Sequence, residues 1–376
     1  MSLNRRSFSQ TLAAGAGLAL GVQSPGARAD GSNRDGEEGG MRYAKTFTST
    51  NSAAGNELLV VGASPSGALA LLARYQTFGL GSGAGLGSQG AVTLSGDGRF
   101  LFVVNAGSHT VSTFALRAGA LNLVSVQDSG GLQPISVTEC DGLVYVLNSG
   151  GAGNVAGFRN QQGRLQPVAG SVQPLSAAGG TGPAQVSIAG DGDVLVVTEK
   201  ATSRLVTYAL SGSGRAGPPR VTASAGVTPF GFAVDRRGRL LVSEAAASSL
   251  SSYRFEEGST TPRVVSAAVP NGQVAACWAA VSPNGHWAYT GNAGSSTISL
   301  YAVSRRGVAT LVAAAAGSTA GGGAGDLAMA GHGRSLSILA PRAPAIFSFT
   351  VAGDGSLTPA GSVAGLPPGV VGLAAN

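Results

Sequence analysis

Charge is scarce in this chain of 376 residues, with Asp, Glu, Lys and Arg together at 11%. Apolar residues reach 43%, which excludes the charged, poorly hydrophobic class of disordered chains and allows a sizeable core. Cysteine and histidine are rarer still. Cys140, Cys277, His109, His286 and His332 are spread too widely to form a zinc site. No apolar run after residue 30 is long enough to span a bilayer. Runs of Lys or Arg are missing too. The net charge of +6 includes Arg5, Arg6 and Arg28, and falls to +3 without them. The remaining cations are scattered, so neither nucleic acid nor an acidic membrane surface is an expected partner. There is no G-x-S-x-G nucleophile elbow. The glycine-rich stretch Gly79–Gly87 lacks the Lys-Ser/Thr of a phosphate loop and reads as a flexible loop.

The N-terminus carries a distinct local pattern. Asn4-Arg5-Arg6-Ser7-Phe8 precedes an apolar run from Thr11 to Val22, and Ala27-Arg28-Ala29 follows. A basic segment, a short apolar segment and an A-x-A site make an export signal over residues 1–29 rather than a membrane helix. The paired arginines with Phe two places on fit the twin-arginine class of bacterial signals. The expected location is periplasmic or secreted, with the export machinery as a partner. Residues 30–42 are polar and Gly-rich and read as a spacer.

What is abundant is glycine, at 60 residues, and its placement is periodic. Six turns share one form, a small or polar residue before Gly between two apolar runs. They are Asp97-Gly98, Asp141-Gly142, Asp191-Gly192, Arg237-Gly238, Asn284-Gly285 and His332-Gly333, spaced 44, 50, 46, 47 and 48 residues apart. Gly suits the left-handed position of a hairpin turn. A period near 47 with several short strands per unit is the signature of a propeller blade. An inner strand precedes each turn and a second strand follows it. A third strand carries an aromatic: Phe114, Phe158, Tyr208, Tyr253, Tyr301 or Phe349. A short outer strand often opens with Gly-x-Leu. Six full repeats cover residues 91–369. A seventh is split, with Tyr43–Asn51, Leu58–Val61 and Gly67-Ala68-Leu69 as its later strands and residues 369–375 as its inner strand. The expected fold is all-β, a seven-bladed β-propeller over residues 43–376 whose C-terminal strand closes the first blade. Closure removes two sheet edges. Cys140 and Cys277 fall in blades on opposite sides of the channel, so free, buried thiols are expected.

The second strands end at one mouth of the channel, and their last residues are Asn51, Asn105, Asn148, Glu199, Glu244, Asn292 and Ala340. Asn and Glu are poor strand formers, so their recurrence needs a reason. One reading is local turn capping, as in Asn105-Ala106-Gly107 and Asn292-Ala293-Gly294. The other is a ligand site, with Gln185, Trp278 and Asp326 at the heads of inner strands joining the same mouth.

The repeat units resemble those of the seven-bladed propeller lactonases, which include 6-phosphogluconolactonases and carboxymuconate cyclases. The resemblance rests on LSGDGRFLFVVNAGSHTVSTF (94–114), VTEKATSRLVTY (197–208), TPFGFAVDRRGRLLVSEA (228–245) and CWAAVSPNGHWAYTGNAGSSTISLY (277–301). It implies the fold and a lactone-hydrolysing ancestry. Members carry His or Arg-His after a Pro at the head of inner strands, where this chain has Pro183-Ala184-Gln185 and Pro229-Phe230-Gly231. Glu244 matches an acidic residue of the family. Without the cationic partners, a phosphorylated sugar lactone is not the expected substrate.

Three functions compete at this stage. The first is a lactonase-like hydrolase for a neutral cyclic ester, with Glu199 and Glu244 as base and partner and the Asn ring orienting the small-molecule ligand. The second is a non-catalytic binding propeller. The third places Ca²⁺ at the mouth, held by Glu carboxylates and Asn oxygens.

Overall fold

Seven antiparallel sheets, each entered from the channel outward, make up the chain in the computed structural model, which describes residues 45–63, 68–117 and 120–376. The export signal at 1–29, the spacer at 30–42, Tyr43 and Gly67 lie outside the described residues. Among the described residues the only helical element is a three-residue turn at Gly331–Gly333.

The inner strands of blades 2 to 7 are Val92–Leu94, Pro134–Cys140, Pro183–Ala189, Pro229–Val234, Ala276–Val281 and Leu327–Ala330. Blade 1 takes its inner strand from the C-terminus. Val371–Ala375 pairs antiparallel with Thr46–Ser49, and the sheet continues through Glu57–Ala63 to Leu69–Gln76. The fold is therefore a seven-bladed β-propeller, closed as the split repeat required. Each inner strand starts at one face, here the mouth face, and runs to a hairpin at the opposite turn face. The second strand returns. The six turn glycines all adopt positive φ, from 70° to 90°, which is why a side chain is excluded there.

The blades pack through what the repeat repeats. Phe114, Phe158, Tyr208, Tyr253, Tyr301 and Phe349 are all buried between sheets. A bulky ring at that depth fills the gap that widens away from the channel. Tyr145 and Tyr289 lie on second strands and donate their hydroxyls to the carbonyls of Gly214 and Gly355 in the following blades, at 2.7 and 2.8 Å. Blade 3 departs from the pattern. Its outer strand is split into Arg164–Pro167 and Gln173–Pro174, and the Ser171 hydroxyl bonds to Gly157 in the gap. Both cysteines are free, as expected, but only Cys277 is buried; Cys140 is half-exposed at the end of its strand.

Candidate functional site

The ring of polar residues at the ends of the second strands is present, but its side chains do not face open space. Asn51, Asn105, Asn148, Glu199, Glu244 and Asn292 are at most 1% exposed. Five of the six fasten the crossover that enters their own blade. The Glu199 carboxylate accepts the Ser176 amide at 2.9 Å, the Ser176 hydroxyl at 2.5 Å and the Thr202 hydroxyl at 2.7 Å. Glu244 Oε1 accepts the Ser224 hydroxyl at 2.8 Å and the Gly226 amide at 3.2 Å. Asn148 donates to the Ser129 carbonyl at 3.1 Å, and Asn292 accepts from Asn271 at 2.9 Å. Asn105 donates to Ser112, whose hydroxyl in turn donates to the Thr77 carbonyl. Asn51 instead grips the crossover leaving its blade, through Ser82 and Ala84.

Close approach explains the glycines opposite this ring. A Cβ on Gly79, Gly131 or Gly226 would sit 2.3, 2.7 or 2.6 Å from a side-chain atom of Asn105, Asn148 or Glu244. The recurrence of Asn and Glu thus has a structural cause. A polar side chain satisfies the crossover backbone donors and acceptors that no strand partner reaches. The side chains expected to present ligand groups at the mouth, with Glu199 and Glu244 as base and partner, are thus found buried and hydrogen-bonded to the crossovers. The two glutamates are held by different crossovers and share no hydrogen-bond partner.

Glu244 keeps one anomaly. Its Oε2 is buried with no partner. Burial raises its pKa, against the hydrogen bonds from Ser224, Ser251, Gly226 and Tyr253 that oppose the shift. Glu244→Gln preserves the accepting oxygen and removes the charge, so it is expected to change stability by less than about 1 kcal/mol. Glu244→Ala strands the Ser224 and Gly226 donors and is expected to cost about 2–4 kcal/mol. Urea titration of both variants separates the two cases, and equal losses would contradict this account.

The mouth itself is plugged. The glycine-rich stretch expected to be a flexible loop is pinned, with Gly81 and Gly83 donating to Ser52 and Asn51 carbonyls at 2.8 and 2.9 Å. It leads into Gln89, whose amide crosses the channel and makes two bonds to the Ala279 backbone in blade 6, at 2.8 and 3.0 Å. Gly231 lies beneath, and a Cβ there would be 2.0 Å from the Gln89 oxygen. Trp278 donates its indole N–H to the Ser88 carbonyl at 3.0 Å and packs on Phe230 with centroids 5.2 Å apart. Gln185 spends its amide in the same way, on the Phe232 backbone at 2.6 and 2.9 Å.

Lys200 is the residue that sequence reasoning missed. Its ammonium lies 4.8 Å from the Phe230 centroid and donates to the Gly87 carbonyl, so the plug does carry a cation. Burial lowers its pKa, and burial pushes the Cys277 thiol nearby up to about 11. A signal was available. Lys200 is the one charged residue immediately after a ring position, where the other blades have Ser52, Ala106, Ser149, Ala245, Ala293 and Pro341.

Asp326 and Gln185 are sequence-predicted site residues that line a cavity. A space of about 270 Å³ runs down the channel from Gln89, Gln185 and Asp326 beneath the plug to Leu94, Thr138, Ser187 and Ala375 toward the turn face. Asp326 Oδ2 accepts the Gly90 amide at 3.2 Å. Burial raises the Asp326 pKa to about 7, and amides of Gly90, Leu327 and Leu373 oppose the shift. Gly90 belongs to the entry of blade 2, Asp326 to blade 7 and Leu373 to the closing strand of blade 1. The carboxyl therefore sits on the seam where the ring closes. No Lys or Arg lines the cavity. His109 accepts the Gln133 amide at 3.0 Å and is exposed, away from this space. Among the described residues no three His, Cys, Asp or Glu side chains converge as metal ligands, so the Ca²⁺ expectation gains no acidic cluster. No described helix is long and apolar enough to cross a membrane.

A closed seven-blade ring with a buried acid in its channel defines the class, and comparison with known proteins narrows it. The model of the family described as "Lactonase, 7-bladed beta-propeller" matches residues 152–277, about a third of the chain and inclusive of Glu199 and Glu244. No curated protein sequence matches. Among solved structures, a candidate 6-phosphogluconolactonase from Bacteroides fragilis is 18% identical, with a TM-score of 0.66 over 92% of this chain and 100% of that one. A Lactobacillus plantarum protein gives 0.69 at 15% identity, over 89% and 100%. A periplasmic gluconolactonase from Pseudomonas aeruginosa gives 0.54 at 22%, over 69% and 77%. The chain is a seven-bladed β-propeller that resembles the lactonase family.

Proposed function

We propose that the chain is an exported lactonase-like hydrolase whose chemistry lies in the channel beneath the plug, with Asp326 as the base. The observation that carries this reading is a buried carboxyl, shifted to about 7, at the closed end of a cavity. A base poised near neutrality is what ester hydrolysis by water requires. The carboxylate takes a proton from water as the water oxygen bonds to the lactone carbonyl carbon. The ring C–O bond breaks, and the leaving alkoxide takes up the proton, giving a hydroxy acid. A cavity lined without cations suits a neutral cyclic ester of small size better than a phosphorylated one.

The test is a panel of neutral lactones offered to the purified protein and to Asp326→Asn, with and without added calcium. Turnover that rises with pH through about 7 and drops at least about 100-fold in Asp326→Asn is expected. Turnover unaffected by Asp326→Asn removes the assignment. Binding without turnover supports a non-catalytic propeller, the reading favoured by Asp326's ties to three blade segments. Calcium-dependent activity would restore the cation reading.

Export rests on Arg5-Arg6 and Ala27-Arg28-Ala29. The name of the Pseudomonas relative, a periplasmic gluconolactonase, accords with it. Changing both Arg5 and Arg6 to Lys is expected to leave the precursor in the cytoplasm, read by cell fractionation. Unchanged export of that variant would remove the twin-arginine class while leaving a signal peptide.

A further inference from the structure

The two faces of the propeller differ sharply in charge. In the described turns and crossovers of the mouth face, the one exposed Lys, Arg, Asp or Glu is Arg342 of blade 7; Lys200 is half-buried and Glu199, Glu244 and Asp326 are buried. Glu57, Asp128 and Arg204 lie on third and outer strands, toward the rim. The turn face exposes charges in nearly every loop, among them Asp97, Asp191, Arg237, Glu257 and Arg305.

On the charge-poor face, large apolar side chains stand out at one repeated position. Leu80, Leu132, Val227 and Val274 are 45, 52, 56 and 62% exposed, on the crossovers into blades 2, 3, 5 and 6, with Phe78 beside Leu80 at 77%. The position is fixed by backbone bonds. The carbonyls of Leu80, Leu132 and Val274 each accept the amide of a turn glycine, Gly107, Gly150 or Gly294, at 2.9 Å. Thr228, next to Val227, accepts the Ala245 amide in the equivalent register. These side chains are thus held outward by a fixed scaffold. Large apolar side chains exposed at a repeated position on a charge-poor face mark an interaction surface.

We propose that this face is the interface of a twofold-symmetric dimer of the chain, mouth face to mouth face. Isologous pairing sets each patch against its own copy. A face with so little charge in its loops brings few like charges together when it meets itself, since Lys200, the one cation inside the arc of blades 2 to 6, is held by the Gly87 carbonyl, and it offers a charged partner little to complement. Arg342 lies outside the arc formed by blades 2 to 6. Four strands about 4.8 Å apart make a blade about 15–20 Å wide. Five of seven such blades present on the order of 500–900 Å², the upper end of which reaches the ~800 Å² per partner of a stable complex. The turn face, toward which the cavity extends, stays free in such a dimer, so the proposal stands whether or not the channel is catalytic.

Sedimentation equilibrium of the purified protein, from nanomolar to micromolar, tests it. A dimer at micromolar concentration that survives added salt is expected, because apolar burial and not charge holds it. The double variant Leu132→Asp, Val274→Asp is expected to weaken dimerisation by at least about 100-fold while melting like the parent. The matched control Val221→Asp, Val264→Asp, at exposed sites on outer strands, should remain dimeric. A monomer at every concentration overturns the proposal, as does a dimer indifferent to the Leu132/Val274 pair. Binding of a monomer to phosphatidylcholine vesicles, lost in that double variant, would assign the face to lipid instead and equally overturn it.

Discussion

Deleting residues 369–376 is expected to lower the melting temperature by on the order of 10 °C or more and to expose apolar surface to a dye such as ANS. The segment supplies the inner strand of blade 1, and its Val370 and Leu373 are 2% and 5% exposed. Burying a side chain of this size is worth about 1.5–3 kcal/mol. The cut also bares the inner edge of Thr46–Ser49 and removes the Leu373 amide that faces Asp326. An open edge beside an exposed core is a template for aggregation. Each kilocalorie lost moves the transition of a domain this large by about 1–2 °C, so a shift of this size reflects the open edge and the lost packing together. Deleting residues 30–40, which read as a spacer, is the control and is expected to change melting little. Equal melting temperatures for the two truncations would contradict closure by the C-terminal strand.

Asp326→Asn is expected to flatten the pH dependence of stability. The folded chain holds this carboxyl near about 7, whereas an unfolded Asp titrates near about 3.9. A folded value above the unfolded one means that the native state binds the proton more tightly. The stabilisation is therefore complete below about pH 4 and is lost as pH rises through about 7. The gap corresponds to about 4 kcal/mol as an order of magnitude. Glu244, also raised by burial, contributes in the same direction. Denaturant titrations at about pH 4.5 and about pH 8, on either side of the window, are the measurement. The parent should lose stability across the interval far more than Asp326→Asn, and the variant should be the more stable of the two at the upper pH. Parallel curves would show that the carboxyl is not shifted as its burial requires.

These two expectations bear on each other. If Asp326 is the base, the form that works is the ionised one, which is also the form the fold tolerates least. Strain of this kind at a working group, offset by the rest of the structure, is common where activity and stability compete. A lactonase whose Asp326→Asn variant is inactive but more stable at pH 8 would show that conflict directly. An Asp326→Asn variant that is both inactive and unfolded would instead identify the residue as a closure element, tied to blades 1, 2 and 7.

The sequence by itself determined the number of blades and where the inner strand of six of them turns into the second. The period near 47 located the hairpin glycines, whose positive φ values follow from a steric rule that acts within four residues. The aromatic of the third strand, the split first blade and its closing strand were legible for the same reason: each is a repeated position in a repeated unit. The polar ring was legible as a recurrence, but not in its meaning. Glu244 and Asn148 end their strands in equivalent places, yet what they bind is set by crossovers 18 and 19 residues earlier that share no motif. The site lies further still from any local signal. Gln89 reaches Ala279 across 190 residues, Lys200 reaches Gly87 across 113, and Asp326 meets Gly90 across 236. A period fixes which residue of a blade stands at the channel. Only closing the ring decides which side chains meet across it, because those partners belong to different blades and are brought together by nothing except the packing of all seven.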